Sequence, residues 1–336
     1  MMDRGALSSA FLAKAGWGEA DRRFLAGDAS DRSYDRLHLN GQSAVLMDAP
    51  PGKGDDPATF LAIATHLLGL GLSAPKCYAQ DLAQGFLLLE DLGDLVYAKV
   101  LKSDPSRENS LYTAATQVLA HVQRHPAPAN LPNLQAQDWA DAASFALDWY
   151  RFAITGDRVD TSDFRGTIAE ALSRNADDSR VMILRDYHAE NLLWLPDRAG
   201  LARVGLLDFQ LAQMGQPGYD LVSLLQDARR DVSRETEIAM QQLFCDETGL
   251  HHARFQASYA TLGAQRALRI LGIFARLCLY SGKPGYISLI PRVWQHLQQN
   301  LAAPQLAPLA QICARLLPEP TPEALARIGA QCGHFP

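Results

Sequence analysis

Cysteine is scarce in this chain and shows no pattern: Cys77, Cys245, Cys278, Cys313 and Cys332 are odd in number and widely scattered, with no pair at zinc-ligand spacing. This argues against a disulfide framework or zinc module and points to a reducing cytoplasm. No apolar run approaches the roughly 20 residues that span a bilayer. The opening MMDRGALSSAFLAKAGW lacks a basic segment followed by a long apolar core, so neither secretion nor a membrane partner is expected. Basic clusters are missing too, and the net charge of −6 disfavours nucleic acid. The sequence shows no internal repeat, no low-complexity segment and no sign of an obligate protein partner. What remains is an ordinary soluble composition, 48% hydrophobic and 20% charged over 336 residues, enough for two domains or two lobes sharing a ligand cleft.

The stretch that carries chemistry is residues 181–209, VMILRDYHAENLLWLPDRAGLARVGLLDF. An apolar run delivers Asp186 into a polar loop, Asn191 follows after four intervening residues, and Asp208 closes a later apolar run ahead of Phe209. Hard cations take such oxygens, and phosphoryl transfer needs a positioned base beside a metal, so the spacing is that of kinase catalytic and metal-binding loops. The same residue types also cap hairpin turns, which is the structural alternative.

Strands are expected at Arg22 to Ala26, Tyr34 to Leu39, Ala44 to Met47, Lys76 to Gln80 and Phe86 to Leu89. One helix is expected at Pro57 to Leu70, where Phe60, Leu61, Ala64, Leu67 and Leu68 recur at helical spacing. Beyond Leu95 helices dominate. One apolar stripe is Leu111, Ala115, Val118, Leu119 and Val122; a second is Trp139, Ala142, Phe145, Ala146 and Trp149. Thr321, Pro322 and Glu323 mark a capped helix start. The expectation is an α+β fold: a small antiparallel β-sheet lobe with one main helix over residues 1–92, then a larger, mostly helical lobe over residues 93–336 that carries the catalytic loop.

This order, together with LRDYHAEN at 184–191, LLDF at 206–209 and GYDL at 218–221, resembles the bilobal protein-kinase-like fold and, within it, the aminoglycoside phosphotransferase family. GDAS at 27–30, MDAPP at 47–51 and FLLLEDLGD at 86–94 narrow the likeness to the bacterial branch of N-acetylmuramate and N-acetylglucosamine anomeric kinases, used in cell-wall sugar recycling. The resemblance implies an ATP- and Mg2+-dependent kinase acting on a small-molecule sugar. It implies Asp186 as the catalytic base, Asn191 and Asp208 as magnesium ligands, and Asp220 as a structural brace of the loop. Glu90 and Leu92 fall where the family's hinge meets adenine, with the backbone making the contacts. Ser30, in the GDAS loop, falls at the phosphates.

Two departures stand out. The family's lysine on the third strand is absent, since AVLMD offers Met47 or Asp48 there, and the helix at 57–70 has no glutamate to partner it. Arg32 and Arg36 are candidates to supply the cation, because a guanidinium forks onto phosphate oxygens. The histidine that usually precedes the loop aspartate is replaced by Leu184, whereas His188 follows it and either approaches the acceptor or packs the loop.

Only eleven residues separate Asp208 from Asp220, too short a segment to dock a peptide, so a small acceptor is expected. Arg229, Arg230 and Lys283 suit an acidic or acetylated sugar better than a polycationic aminoglycoside. The alternatives are an aminoglycoside or other small-alcohol kinase, or a kinase-like module that binds ATP without turnover.

Overall fold

A computed structural model describes residues 3–27, 32–54 and 56–334 and divides the chain into two compact units. The first contains residues 1–118 and 189–212, the second 119–188 and 213–336.

The first unit opens with α1 (Arg4–Lys14), an element the sequence reading leaves unassigned, and continues through β1 (Asp21–Gly27), β2 (Ser33–Leu39) and β3 (Gln42–Asp48). Helix α2 (Pro57–Gly69) follows, then β4 (Cys77–Asp81) and β5 (Phe86–Glu90). The strands form one antiparallel sheet in the order β1-β2-β3-β5-β4. Alternation assigns its two faces. Leu37, Ala44, Leu46, Phe86 and Leu88 pack beneath Phe11 and Leu12 of α1. Val45 and Met47 belong to the other face, opposite Arg36 and Tyr34 in register. The Met47-or-Asp48 ambiguity is thereby resolved: Met47 shares the face of Val45, whereas Asp48 turns to α1 and accepts from Arg4 Nε at 2.9 Å. The expected helix forms because Asp56 caps the Ala58 amide at 2.9 Å and Pro57 occupies the first turn.

The same unit continues into α3 (Tyr97–Ser103) and the start of α4 (Glu108–Gln123). The whole expected α4 stripe, Leu111, Ala115, Val118, Leu119 and Val122, is buried.

In the second unit, α5 (Ala136–Ala143) leads into a π-turn at Ala146–Arg151, short α6 (Phe152–Thr155) and α7 (Ser162–Asn175). The expected second stripe is corrected here. Trp139, Ala140, Ala143, Ala146, Leu147 and Tyr150 are buried, while Phe145 is exposed, because the wider π-turn rotates the face away from a regular helical period. A close approach fixes this register: a Cβ on Gly272 would lie 2.2 Å from the Phe145 carbonyl carbon and oxygen.

Strands β6 (Val181–Ile183), β7 (Leu192–Trp194), β8 (Val204–Leu206) and β9 (Gln213–Gly215) pair as β6·β9 in the second unit and β7·β8 in the first. Helices α8 (Tyr219–Leu225), α9 (Arg234–Thr248), α10 (His252–Leu279), α11 (Ile290–Leu301), α12 (Ala307–Leu316) and α13 (Pro322–Ala330) complete the second unit. Thr321 caps α13 as its sequence indicates, accepting from the Ala324 amide. The architecture is the α+β, protein-kinase-like one that the sequence resembles.

Candidate active site

In the first unit, β7 and β8 hold the two oxygen-bearing residues that begin and end their hairpin. The Asn191 carbonyl accepts from the Leu207 amide at 3.0 Å, so Asn191 and Asp208 are drawn together from seventeen positions apart, with Asn191 Nδ2 at 3.5 Å from Asp208 Oδ2. Asp208 adopts φ +55°, a left-handed conformation worth roughly 1 kcal/mol or more of strain for a residue with a side chain. The next residue anchors it: Phe209 is buried and stacks on Phe60 of α2 with ring centroids 4.9 Å apart.

Two further donors reach the Asp208 carboxylate. Gln210 Nε2 donates to Oδ1 at 2.7 Å, and the buried Arg32 guanidinium stands 3.5 Å from the same oxygen. Arg32 is only 4% exposed, so its charge is held against the aspartate with little water between. Its neighbour in the expectations, Ser30, lies outside the described residues.

Asn191 and Asp208 border a cavity of about 420 Å³ lined largely by apolar side chains, among them Leu25, Val45, Phe60, Leu89 and Leu193. Its polar wall is the segment 90–94. Glu90 and Leu92 both line it, but the Glu90 side chain is engaged elsewhere: Arg198 Nη2 donates to Oε1 at 2.6 Å, and the Lys76 amide donates to Oε2 at 3.3 Å. Arg36 also lines the cavity, yet its guanidinium is taken by Asp91 and Asp94 and is not available to phosphate, which corrects one of the two candidate cations.

The second unit carries the remaining residues. Asp220, wholly buried in α8, accepts the amide hydrogens of Leu184 at 2.6 Å and Arg185 at 2.8 Å, fixing the backbone that delivers Asp186. Arg185 itself has φ +72°. A strained residue held by a buried carboxylate is over-determined by its surroundings. Burial pushes the Asp220 carboxyl up to about 7, opposed by these two hydrogen bonds and assisted by the charge of Asp186. Asp186 is half-buried, and its amide closes a tight turn onto the Leu184 carbonyl at 3.0 Å.

His188 is 7% exposed, and burial pushes its imidazole down to about 3, with the charges of Arg229 and Arg266 adding to the effect. It is therefore neutral at any ordinary pH, in a field of two guanidinium groups. Arg229 is half-buried, and its amide donates to Asp227 Oδ1 at 2.8 Å. Arg266 of α10 is buried and donates to Ser223 Oγ of α8 at 2.8 Å.

Gln210, Arg198 and Arg266 carry no signal in the sequence pattern and are brought in by folding. Asp91 and Asp94 lie in the FLLLEDLGD stretch at 86–94 and Arg36 is one of the two candidate cations; what folding adds is that they meet.

A kinase-like fold with a loop of this kind defines a phosphotransferase. The chain belongs to the phosphotransferase enzyme family, whose model matches residues 21–256. It is 39% identical to an N-acetylmuramate/N-acetylglucosamine kinase of Caulobacter vibrioides, over 95% of this chain and 98% of the relative. In fold it is similar to a putative aminoglycoside phosphotransferase of Ralstonia eutropha JMP134, with a TM-score of 0.63 at 16% identity over 93% of this chain and 99% of that one. It is likewise similar to the protein of the streptomycin–ATP–APH(2'')-IIa ternary complex, with a TM-score of 0.57 at 14% identity over 88% and 97% of the two chains. Among the described residues no helix is long and apolar enough to cross a membrane.

Proposed function

We propose that this enzyme transfers the γ-phosphoryl group of ATP to the anomeric hydroxyl of an amino sugar, N-acetylmuramate or N-acetylglucosamine, in a magnesium-dependent reaction in the cytoplasm. The observation that carries this reading is the Asn191–Asp208 pair, with Arg32 beside it, at the border of an apolar cavity whose size suits a nucleotide base. The named activity of the Caulobacter relative, similar along the whole chain, supports the acceptor.

Residues 1–92 serve the nucleotide, joined by the cavity-lining residues of 93–99 and by 189–212, and the remaining helical part of 93–336 serves the acceptor. The base lies in the cavity against the backbone of Glu90 and Leu92. Among the described residues no group of three or more His, Cys, Asp or Glu side chains is placed to hold a metal alone. That fits Mg2+, which typically takes one or two protein oxygens and completes its shell with water and substrate phosphate. Asn191 and Asp208 would hold the ion, both offering hard oxygen atoms. When bound, the ion neutralises charge on the phosphates.

Arg32 supplies, from the residue just ahead of β2, the fixed positive charge that Met47 cannot. Asp186 accepts the proton of the attacking hydroxyl, and Asp220 keeps the Asp186 backbone in place for that transfer. His188, neutral, is a hydrogen-bonding group for the sugar, and the charge of Arg229 near it favours an acceptor bearing a carboxylate or acetamido oxygen.

The test is incubation with ATP and Mg2+ against a panel of amino sugars and aminoglycosides. The expected product is a sugar phosphate that hydrolyses readily in acid, as anomeric phosphates do. Transfer only to aminoglycosides, or to none of the panel, overturns the reading.

A further inference from the structure

Arg36 sits on β2, opposite Val45 in register, at the wall of the cavity. Its guanidinium binds two carboxylates from the segment that follows β5. Nη2 donates to Asp91 Oδ1 at 3.0 Å, with Nε 2.9 Å from Asp91 Oδ2; Nη1 donates to Asp94 Oδ2 at 2.8 Å and Nη2 to Asp94 Oδ1 at 3.0 Å. These partners are 55 and 58 positions away in sequence, so the contact is wholly tertiary.

The two carboxylates are differently placed. The Asp91 side chain is 7% exposed and that of Asp94 is 63% exposed. Asp91 Oδ1 also accepts the Gly93 amide at 3.0 Å, closing a turn in which Gly93 has φ +82°, a conformation that only glycine adopts without strain. Leu92 is the middle residue of that turn. The peptide joining Leu92 to Gly93 has its orientation set by the Asp91 side chain, which accepts its N–H, and by the left-handed φ of Gly93.

A buried carboxylate holds a turn only if its own rotamer is held, and here the guanidinium holds it. A fork onto two carboxylates locks direction as well as charge. From this we infer that Arg36 is a positioning residue for nucleotide recognition: through Asp91 and Asp94 it fixes the 90–94 backbone against the cavity, and so sets base affinity and discrimination without touching the base. The inference rests on reading this cavity as the nucleotide site.

The hydrogen bonds of Arg36 with Asp94 and Asp91 also raise its own pKa, and that with Asp94 lowers the pKa of Asp94, so the Arg36–Asp94 pair stays ionised throughout the range in which an enzyme is assayed.

The experiment measures ATP, GTP and acceptor titrations on the full chain, with thermal unfolding alongside. Wild type comes first: failure to bind ATP overturns the nucleotide reading itself. Given wild-type binding, Arg36→Met is expected to weaken ATP by about tenfold, the size of one strongly coupled pair, and to narrow the ATP-over-GTP preference. The acceptor KM stays within about twofold, because nothing on the acceptor side is altered. Arg36→Lys restores charge without the fork and recovers part of the loss. Asp94→Asn lies at the exposed end, leaves the fold intact, and is expected to weaken ATP by about threefold. Asp94→Asn decides the matter if Arg36→Met does not fold. Nucleotide affinity and discrimination equal to wild type in folded Arg36→Met, or in Asp94→Asn where Arg36→Met is lost, overturn the inference, even if unfolding temperature falls.

Discussion

Replacing Arg32 by methionine tests how this chain manages without the family's lysine. Arg32 lies 3.5 Å from Asp208 Oδ1. At an effective dielectric of about 20, unit charges at that distance attract by about 5 kcal/mol. Much of this is returned as the cost of taking the guanidinium out of water, so the net worth to the folded protein is far smaller. The catalytic share is different in kind, because the cost of burying the charge has been met during folding and no reorganisation is needed when phosphate charge develops. Removing one such pre-placed group costs about 10²- to 10³-fold in kcat. Arg32→Met is therefore expected to lower kcat/KM for ATP by about two to three orders of magnitude, with the acceptor KM little changed. Arg32→Lys, which keeps the charge but not the fork, falls between. Asp208 is about one-third exposed, so water solvates it once the guanidinium is gone and the fold survives. The assay is steady-state kinetics with ATP varied at saturating acceptor and Mg2+, alongside thermal unfolding of each variant. A folded Arg32→Met enzyme within threefold of wild type in kcat/KM would refute the assignment and move the phosphate-binding charge elsewhere.

Three other perturbations probe the acceptor side and the scaffold. Asp186→Asn is expected to bind ATP normally and lose about 10²- to 10⁴-fold in turnover, the usual contribution of a positioned base; single-turnover transfer at the wild-type rate contradicts its role. His188, pushed down to about 3 in the folded protein from an ordinary value of 6.5, binds fewer protons than in the unfolded chain between those two values. Its contribution is thus fully present above pH 6.5 and is lost as pH falls towards 3, at up to about 1.4 kcal/mol per unit. Denaturant unfolding from pH 7 to 4 should show a shallower acid loss in His188→Asn; equal slopes exclude this origin. Gly272→Ala puts a methyl group 2.2 Å from the Phe145 carbonyl and should cost about 1–3 kcal/mol, seen as a lower unfolding temperature with the ATP KM unchanged.

How much could be read before folding follows from the range of each interaction. The strands of the sheet, helix α2, the α4 stripe and the Thr321 cap depend on local spacing and short-range hydrogen bonds, and each appears where the sequence puts it. The stripe through Phe145 does not, because a π-turn changes the period and only packing against Gly272 of α10 makes that turn worthwhile.

The sequence by itself determined which side chains offer oxygen or charge, and in what order, since Asp186, Asn191, Asp208 and Asp220 are legible as a spacing. Tertiary structure alone decided what each group is attached to. Met47 shares the face of cavity-lining Val45 because strand pairing sets its parity; Arg32 reaches Asp208 across 176 positions, while Arg36, four residues further on, is bound by Asp91 and Asp94. Burial, which no linear spacing reports, makes His188 a neutral group and Asp220 the brace of the loop. Such contacts join segments that are adjacent only in the folded chain, and the free energy of desolvating a charge is a property of what surrounds it.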